Sequence, residues 1–177
     1  MQVALDNWFV KNIDTLKVAL RVVFGMFWLI DGMLKFQPGV VEAFSGMIRD
    51  ASAGQPAWLS GWFSFWASAT SSNPGFFVYS TGALEVALGL CLMFGLLRKV
   101  AYTASFFLSL VIWSVPEGFG GPYGPGATDI GTGIVYALAS LLFLIVNAFF
   151  GPSRYSLDFI IERRLPGWKK IAEIRSA

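Results

Sequence analysis

Leu16 to Phe36 is about long enough to cross a bilayer as one helix, yet it contains Arg21, Asp31 and Lys35. At about 100° per residue, Arg21, Gly25, Trp28, Asp31, Gly32 and Lys35 fall on a single stripe. Val22, Val23, Phe24, Phe27, Leu29, Ile30, Met33 and Leu34 cover the rest of the surface. A charge at the centre of a bilayer costs about 3 kcal/mol or more, so the stripe must turn toward protein. Two readings remain open. Asp31 and Lys35 stand four residues apart and can neutralise each other on the same helix. Alternatively, the stripe lines a polar site inside a bundle.

The whole chain supports a membrane reading. Its 177 residues are 55% hydrophobic and 14% charged, against about 25% charged in soluble domains. We read residues 1–177 as one integral membrane domain. The chain has no histidine and one cysteine, Cys91, so an internal disulfide is impossible and a zinc site is not expected. No metal, haem or flavin motif, Gly-rich dinucleotide fingerprint or Walker motif is present. A net charge of +2 does not suggest a nucleic-acid partner.

Residues 1–15 read as an amphipathic lead-in lying at the membrane surface, not as a cleaved signal peptide. The first span, 16–36, stops at Gln37-Pro38-Gly39. The connection that follows is too long to be structureless. We expect a helix over 40–50 and a second over 57–69, where Trp58, Trp62 and Trp66 recur every four residues. That row suits a membrane-interface anchor, or a wall or lid for an apolar ligand.

The second span, 76–97, carries Glu85 between Gly82 and Gly89, small residues that let helices approach closely. The third, 100–115, ends at Pro116. A Gly/Pro-rich loop follows, with Phe119 and Tyr123 as its aromatic groups, and reads as a semi-rigid cover over a polar pocket or as a plain connection. The fourth span, 129–150, is expected to start at a cap on Thr128 or Asp129. Asp129, Thr132, Gly133, Tyr136, Ser140 and Asn147 share one of its faces. The tail mixes six basic residues with apolar ones, as an amphipathic segment on an anionic leaflet would.

The expected fold is therefore an all-α, four-transmembrane-helix antiparallel bundle. A Trp-rich interfacial helix lies between spans one and two, and an amphipathic tail closes the chain. Lys11, Lys17, Arg98, Lys99 and the basic tail fall on one side, which puts both termini in the cytoplasm of a multi-pass cell-membrane protein. Arg21, Asp31, Lys35, Glu85 and Asp129 are expected to face the bundle interior.

Three segments together resemble the DoxX/DoxD family of small four-helix membrane proteins. They are LRVVFGMFWLIDGMLKF, TGALEVALGLCLMFGLLRK and DIGTGIVYALASLLFLIVNAFFGPSRYSLD, in that order. The loop GPYGPGATDIGTG is closer to the DoxD branch. Many DoxX-type members have a polar or histidine-containing run before the tyrosine of the last helix, where this chain has Thr132-Gly133.

The resemblance implies the membrane subunit of a thiosulfate:quinone oxidoreductase, with a separate DoxA-type partner subunit and quinone as electron acceptor. In that reading Asp31 and Glu85 handle quinone protons as catalytic groups. Lys35, Asp129, Tyr136 and Tyr123 bind substrate, and Trp28 and Trp113 pack the quinone ring. A second reading makes the chain a non-catalytic accessory subunit of a larger membrane redox or terminal oxidase complex. A transporter fits less well, because no inverted repeat is visible.

Overall fold

A computed structural model describes residues 2–125, 127, 129–151 and 153–174, with side chains except at 2–7 and 9. The described residues are helical and contain no strand. The first helix, Gln2–Leu34 (α1), is continuous. The expected boundary near Thr15 is absent, because no proline or glycine interrupts the chain before Gly25. The lead-in and the first apolar run are one rod, about 50 Å long at 1.5 Å per residue.

Val40–Ser52 (α2) follows a turn in which Gly39 takes φ 86°. A 3-10 turn at Ala57–Leu59 leads into Ser60–Ser71 (α3). Both helices expected in the long connection are therefore present. Pro74–Phe94 (α4) starts on Asn73, whose side chain accepts from the Phe76 amide at 3.0 Å, with proline in the first turn. It ends at left-handed Gly95. Arg98–Ser114 (α5) begins slightly earlier than expected.

Thr132–Phe150 (α6) starts later than expected. Thr128 lies outside the described residues. Asp129 does not cap the helix; its carboxylate accepts from the Gly131 amide at 2.8 Å, within the loop.

α1 lies antiparallel on α4, and the match is made by glycine. A Cβ on Gly32 would sit 2.7 Å from the Val86 amide nitrogen and 2.8 Å from the Gly82 carbonyl oxygen. A Cβ on Gly89 would sit 2.7 Å from the Leu29 nitrogen and 2.8 Å from the Gly25 carbonyl oxygen. The two backbones thus touch at both ends of the contact, a small-residue seam. α5 and α6 form a second antiparallel pair. Gly133 faces the Ser109 carbonyl, and the Ser105 and Ser140 hydroxyls meet at 2.6 Å. Phe24, Trp28, Leu88, Leu92, Ala101 and Tyr102 make the buried cluster between the pairs. Phe143 stacks on both Phe24 and Tyr102.

Adding a methyl at Gly32 or Gly89 must push backbone away from backbone. We expect Gly32→Ala and Gly89→Ala each to cost about 1–3 kcal/mol, as overpacking does. Gly46 in α2 has open space around it, so Gly46→Ala should be neutral or slightly stabilising. Thermal unfolding in detergent compares the three; equal melting temperatures would remove the seam as a source of stability.

The C-terminal segment folds back onto the start of α5. Leu157–Glu162 (α7), a 3-10 turn at Pro166–Trp168 and Lys169–Ala172 (α8) replace the single interfacial helix that the tail's pattern suggests. The cause is Arg98, which is 1% exposed. Its guanidinium donates to Asp158 at 3.0 Å, to Glu162 at 3.2 Å and to Glu173. Asp158 also accepts from the amides of Leu97 and Arg98 and from the Trp168 indole.

Two helices, Pro74–Phe94 and Thr132–Phe150, are long and apolar enough to cross a membrane. Only 33% and 22% of their most apolar stretches are buried inside the protein, unlike the core helices of a soluble domain. Outward-facing Leu84, Leu90, Leu138, Leu142, Ile145 and Phe149 are exposed.

Candidate functional site

The α1 stripe divides along its length. Arg21 is buried near the C-terminal segment, where it donates to the Tyr155 carbonyl at 2.9 Å. Asp31 and Lys35 lie about 15 Å and more further along the helix. They do not neutralise each other. Lys35 reaches across to α4 and donates to both oxygens of Glu85, at 2.9 and 2.7 Å. Glu85 is 1% exposed, while the Lys35 side chain keeps 29% exposure. The Gly32–Gly82 approach makes this possible, since it brings the two helices close enough for one lysine to span them. Asp31 turns the other way and accepts from the Tyr136 hydroxyl at 3.0 Å.

These groups surround a cavity of about 210 Å³. Trp28, Asp31, Lys35, Glu85, Glu117 and Tyr136 supply its polar and aromatic lining. The Trp28 indole N–H is buried and has no hydrogen-bond partner among the described residues. One ammonium thus faces three carboxylates, which makes the cavity a poor host for an anion and a better one for a neutral molecule with hydrogen-bonding groups.

A larger cavity, about 550 Å³, adjoins it. The two share Asp31, Lys35, Ile112 and Glu117 as lining. The larger one is mainly apolar, walled by Phe44 and Met47 of α2, Trp66 of α3, Phe77 of α4 and Val111 of α5. The α2–α3 hairpin walls this cavity on one side, and Trp66 is the member of the Trp row in its lining. Within that row the roles differ. Trp58 is exposed, Trp62 donates to the Ser114 carbonyl at 3.0 Å, and Trp66 lines the cavity.

Three expected site residues stand outside both cavities. Asp129 is exposed and held in its own turn, so it does not face the helix interior. Tyr123 is exposed, and its hydroxyl folds back onto the Phe119 carbonyl. Trp113 donates to the Ile130 carbonyl at 2.7 Å and packs edge-on against Phe119, clamping the loop in place. Phe119 itself sits in the left-handed region at φ 59°, among Trp62, Phe63 and Trp113. Gln55 ties the loop to α2 by donating to the Gly118 carbonyl at 2.7 Å. The Gly/Pro loop is pinned beside the site and does not cover it with Tyr123.

Sequence reasoning missed Glu117. Its carboxylate accepts from the Thr132 hydroxyl at 2.5 Å and the Gly133 amide at 2.8 Å. It thereby caps α6 from another element, where a helix N-terminus favours negative charge. It also lines both cavities. An acid next to Pro116 at the end of an apolar helix was the available signal, but nothing local shows that α6 begins against it.

Comparison with known proteins returns no match: no family model fits the chain, and neither a curated protein nor a solved structure is similar to it.

Proposed function

We propose that this chain is a DoxX/DoxD-like membrane subunit of a quinone-linked oxidoreductase, with a neutral quinone as the occupant of the paired cavities. In this reading α1 from Leu16, α4, α5 and α6 cross the membrane, with both termini cytoplasmic. The exposed apolar faces of those helices support the placement, as does the gathering of basic residues at one end.

The observation that carries the reading is the junction of a polar chamber with a larger apolar one. A ring with two carbonyls fits the first, and its hydrocarbon tail fits the second. The free indole N–H of Trp28 offers a donor to one carbonyl oxygen. Reduction of a quinone to a quinol takes up two electrons and two protons. The Tyr136–Asp31 and Lys35–Glu85 pairs stand where protons would be handed over. The electrons come from a donor oxidised on a second, DoxA-like subunit. Thiosulfate oxidation is assigned to that subunit, because three carboxylates around Lys35 oppose an anion here.

The purified chain tests this by quenching of tryptophan fluorescence with a short-chain benzoquinone. We expect saturable quenching whose dissociation constant rises about tenfold in Trp28→Phe, the loss of one good hydrogen bond. No saturable quenching, together with obligate co-purification with an oxidase, would replace this reading with the accessory-subunit one. That alternative draws on the exposed aromatic side chains of Trp58, Phe65 and Phe76, which partner helices would cover.

A further inference from the structure

A second polar site lies at the opposite end of the helices from the paired cavities. It is small, about 10 Å³, and Lys17, Arg21, Arg98, Tyr102, Asn147 and Ser153 are in its wall. Three nitrogens in that wall are buried and have no hydrogen-bond partner among the described residues: Arg21 Nε, Arg98 Nη1 and Asn147 Nδ2. Their residues are 3%, 1% and 6% exposed.

Each of these nitrogens can only donate. Buried donors are almost always satisfied, so three unpartnered donors on residues that wall one cavity call for an acceptor there. Several other donors of these residues are engaged. Arg21 Nη2 bonds the Tyr155 carbonyl, Arg98 Nε bonds Asp158, Arg98 Nη2 bonds Glu162 and Glu173, and Lys17 bonds the Gly151 carbonyl at 2.8 Å. Asp158, Glu162 and Glu173 thus take the Nε and Nη2 positions of Arg98 and leave Nη1 without a partner among the described residues. Arg21 has no ion-pair partner among the described residues, and Lys17 has only Asp14, at 3.7 Å.

Size limits the occupant. Only one small, compact occupant fits, which excludes phosphate, a lipid headgroup or a carboxylate ligand. A water would have to donate two hydrogen bonds as well as accept. The wall offers mostly donors and three cationic groups, which suits an occupant that only accepts.

We propose that Arg21, Arg98, Asn147 and Lys17 enclose a binding site for one monoatomic anion, chloride under ordinary conditions. The anion joins α1, α5 and α6 where Gly151, Ser153 and Tyr155 leave the last long helix. It thus staples the C-terminal segment to the helix ends. The site is independent of the quinone reading and shares no residue with the paired cavities.

The test is thermal unfolding of the purified protein in sodium chloride and in sodium gluconate at equal ionic strength, since gluconate is too large to enter. Chloride should raise the melting temperature saturably, by about 2–4 °C at high occupancy. Arg21→Gln and Asn147→Leu should abolish the difference, and Lys11→Gln, on the exposed start of α1, should keep it. Crystals soaked in bromide should show an anomalous peak between Arg21 and Arg98. If Arg21→Gln does not fold, Asn147→Leu and the bromide signal decide. Equal stability in both salts with no bromide peak would mean that water fills the cavity, and would overturn the proposal.

Discussion

Arg98→Met is expected to release residues 153–174 from the rest of the protein. The guanidinium is the shared partner of Asp158, Glu162 and Glu173, all nearly buried. Removing the cation leaves three carboxylates crowded in a desolvated space, and breaking a buried ion pair from one side costs about 3–5 kcal/mol. Asp158 keeps its bonds to two backbone amides and to Trp168, but Glu162 and Glu173 lose their cation. The cheapest escape is for the segment to lift into water. Hydrogen exchange across 157–172 should then rise steeply while α4 and α6 stay protected. Unchanged protection in the segment would show that apolar contacts, not Arg98, hold it.

The same cluster sets a pH dependence. Burial pushes the Glu173 carboxyl up to about 7; Arg98 opposes the rise, and Glu162 and Asp158 reinforce it. Between the ordinary glutamate range and about 7, the docked state keeps a proton that the undocked state has lost. The contribution of Glu173 to docking is therefore most favourable below about pH 4.5 and declines as pH climbs to about 7. Glu173→Gln should flatten that slope.

The second large effect is expected at Lys35→Met. Glu85 is fully enclosed, and Lys35 supplies both of its ion-pair hydrogen bonds. Taking the lysine away strands a carboxylate beside a second one, Asp31. We expect a loss of about 3–5 kcal/mol for the single variant. Lys35→Met with Glu85→Met removes both charges at similar volume and should recover most of that loss. Denaturant unfolding of the single and double variants measures the coupling. If the double variant is no more stable than Lys35→Met, the pair is not what stabilises this part of the α1–α4 contact. Glu85→Gln should remain folded, since an amide can still accept from Lys35.

Helices were legible wherever a local pattern carried them. The apolar runs and the Trp row each mark an element that the structure contains, although α4 begins at the Asn73 cap and ends at Gly95, earlier at both ends than its apolar run suggests. The break expected near Thr15 was inferred from a change of composition, but helix continuity depends on breakers, and none stands there. The start of α6 was misplaced for the opposite reason. Asp129 looks like a cap locally, while the real cap, Glu117, comes from another element and is invisible to local spacing. Asp31 and Lys35 show the same limit. Spacing permits their pairing on one helix, but the glycine seam offers Lys35 a buried partner and Tyr136 offers Asp31 a hydroxyl. Trp28, Asp31, Lys35, Glu85 and Tyr136 do converge on one cavity. Trp113, Tyr123 and Asp129 share patterns with them but not the space, because the loop takes their side chains for its own packing.

The glycine seam also bears on how the site can open. α1 and α4 are in backbone contact, so neither can roll against the other without collision. α5 and α6 are joined by serine hydroxyls and the close approach at Gly133. The polar cavity lies along the line where these two stiff plates meet, with Lys35 and Glu85 on one and Ser109 and Tyr136 on the other. Tilting these plates apart, like the covers of a book, would have to break the Asp31–Tyr136 bond, a clasp across the gap.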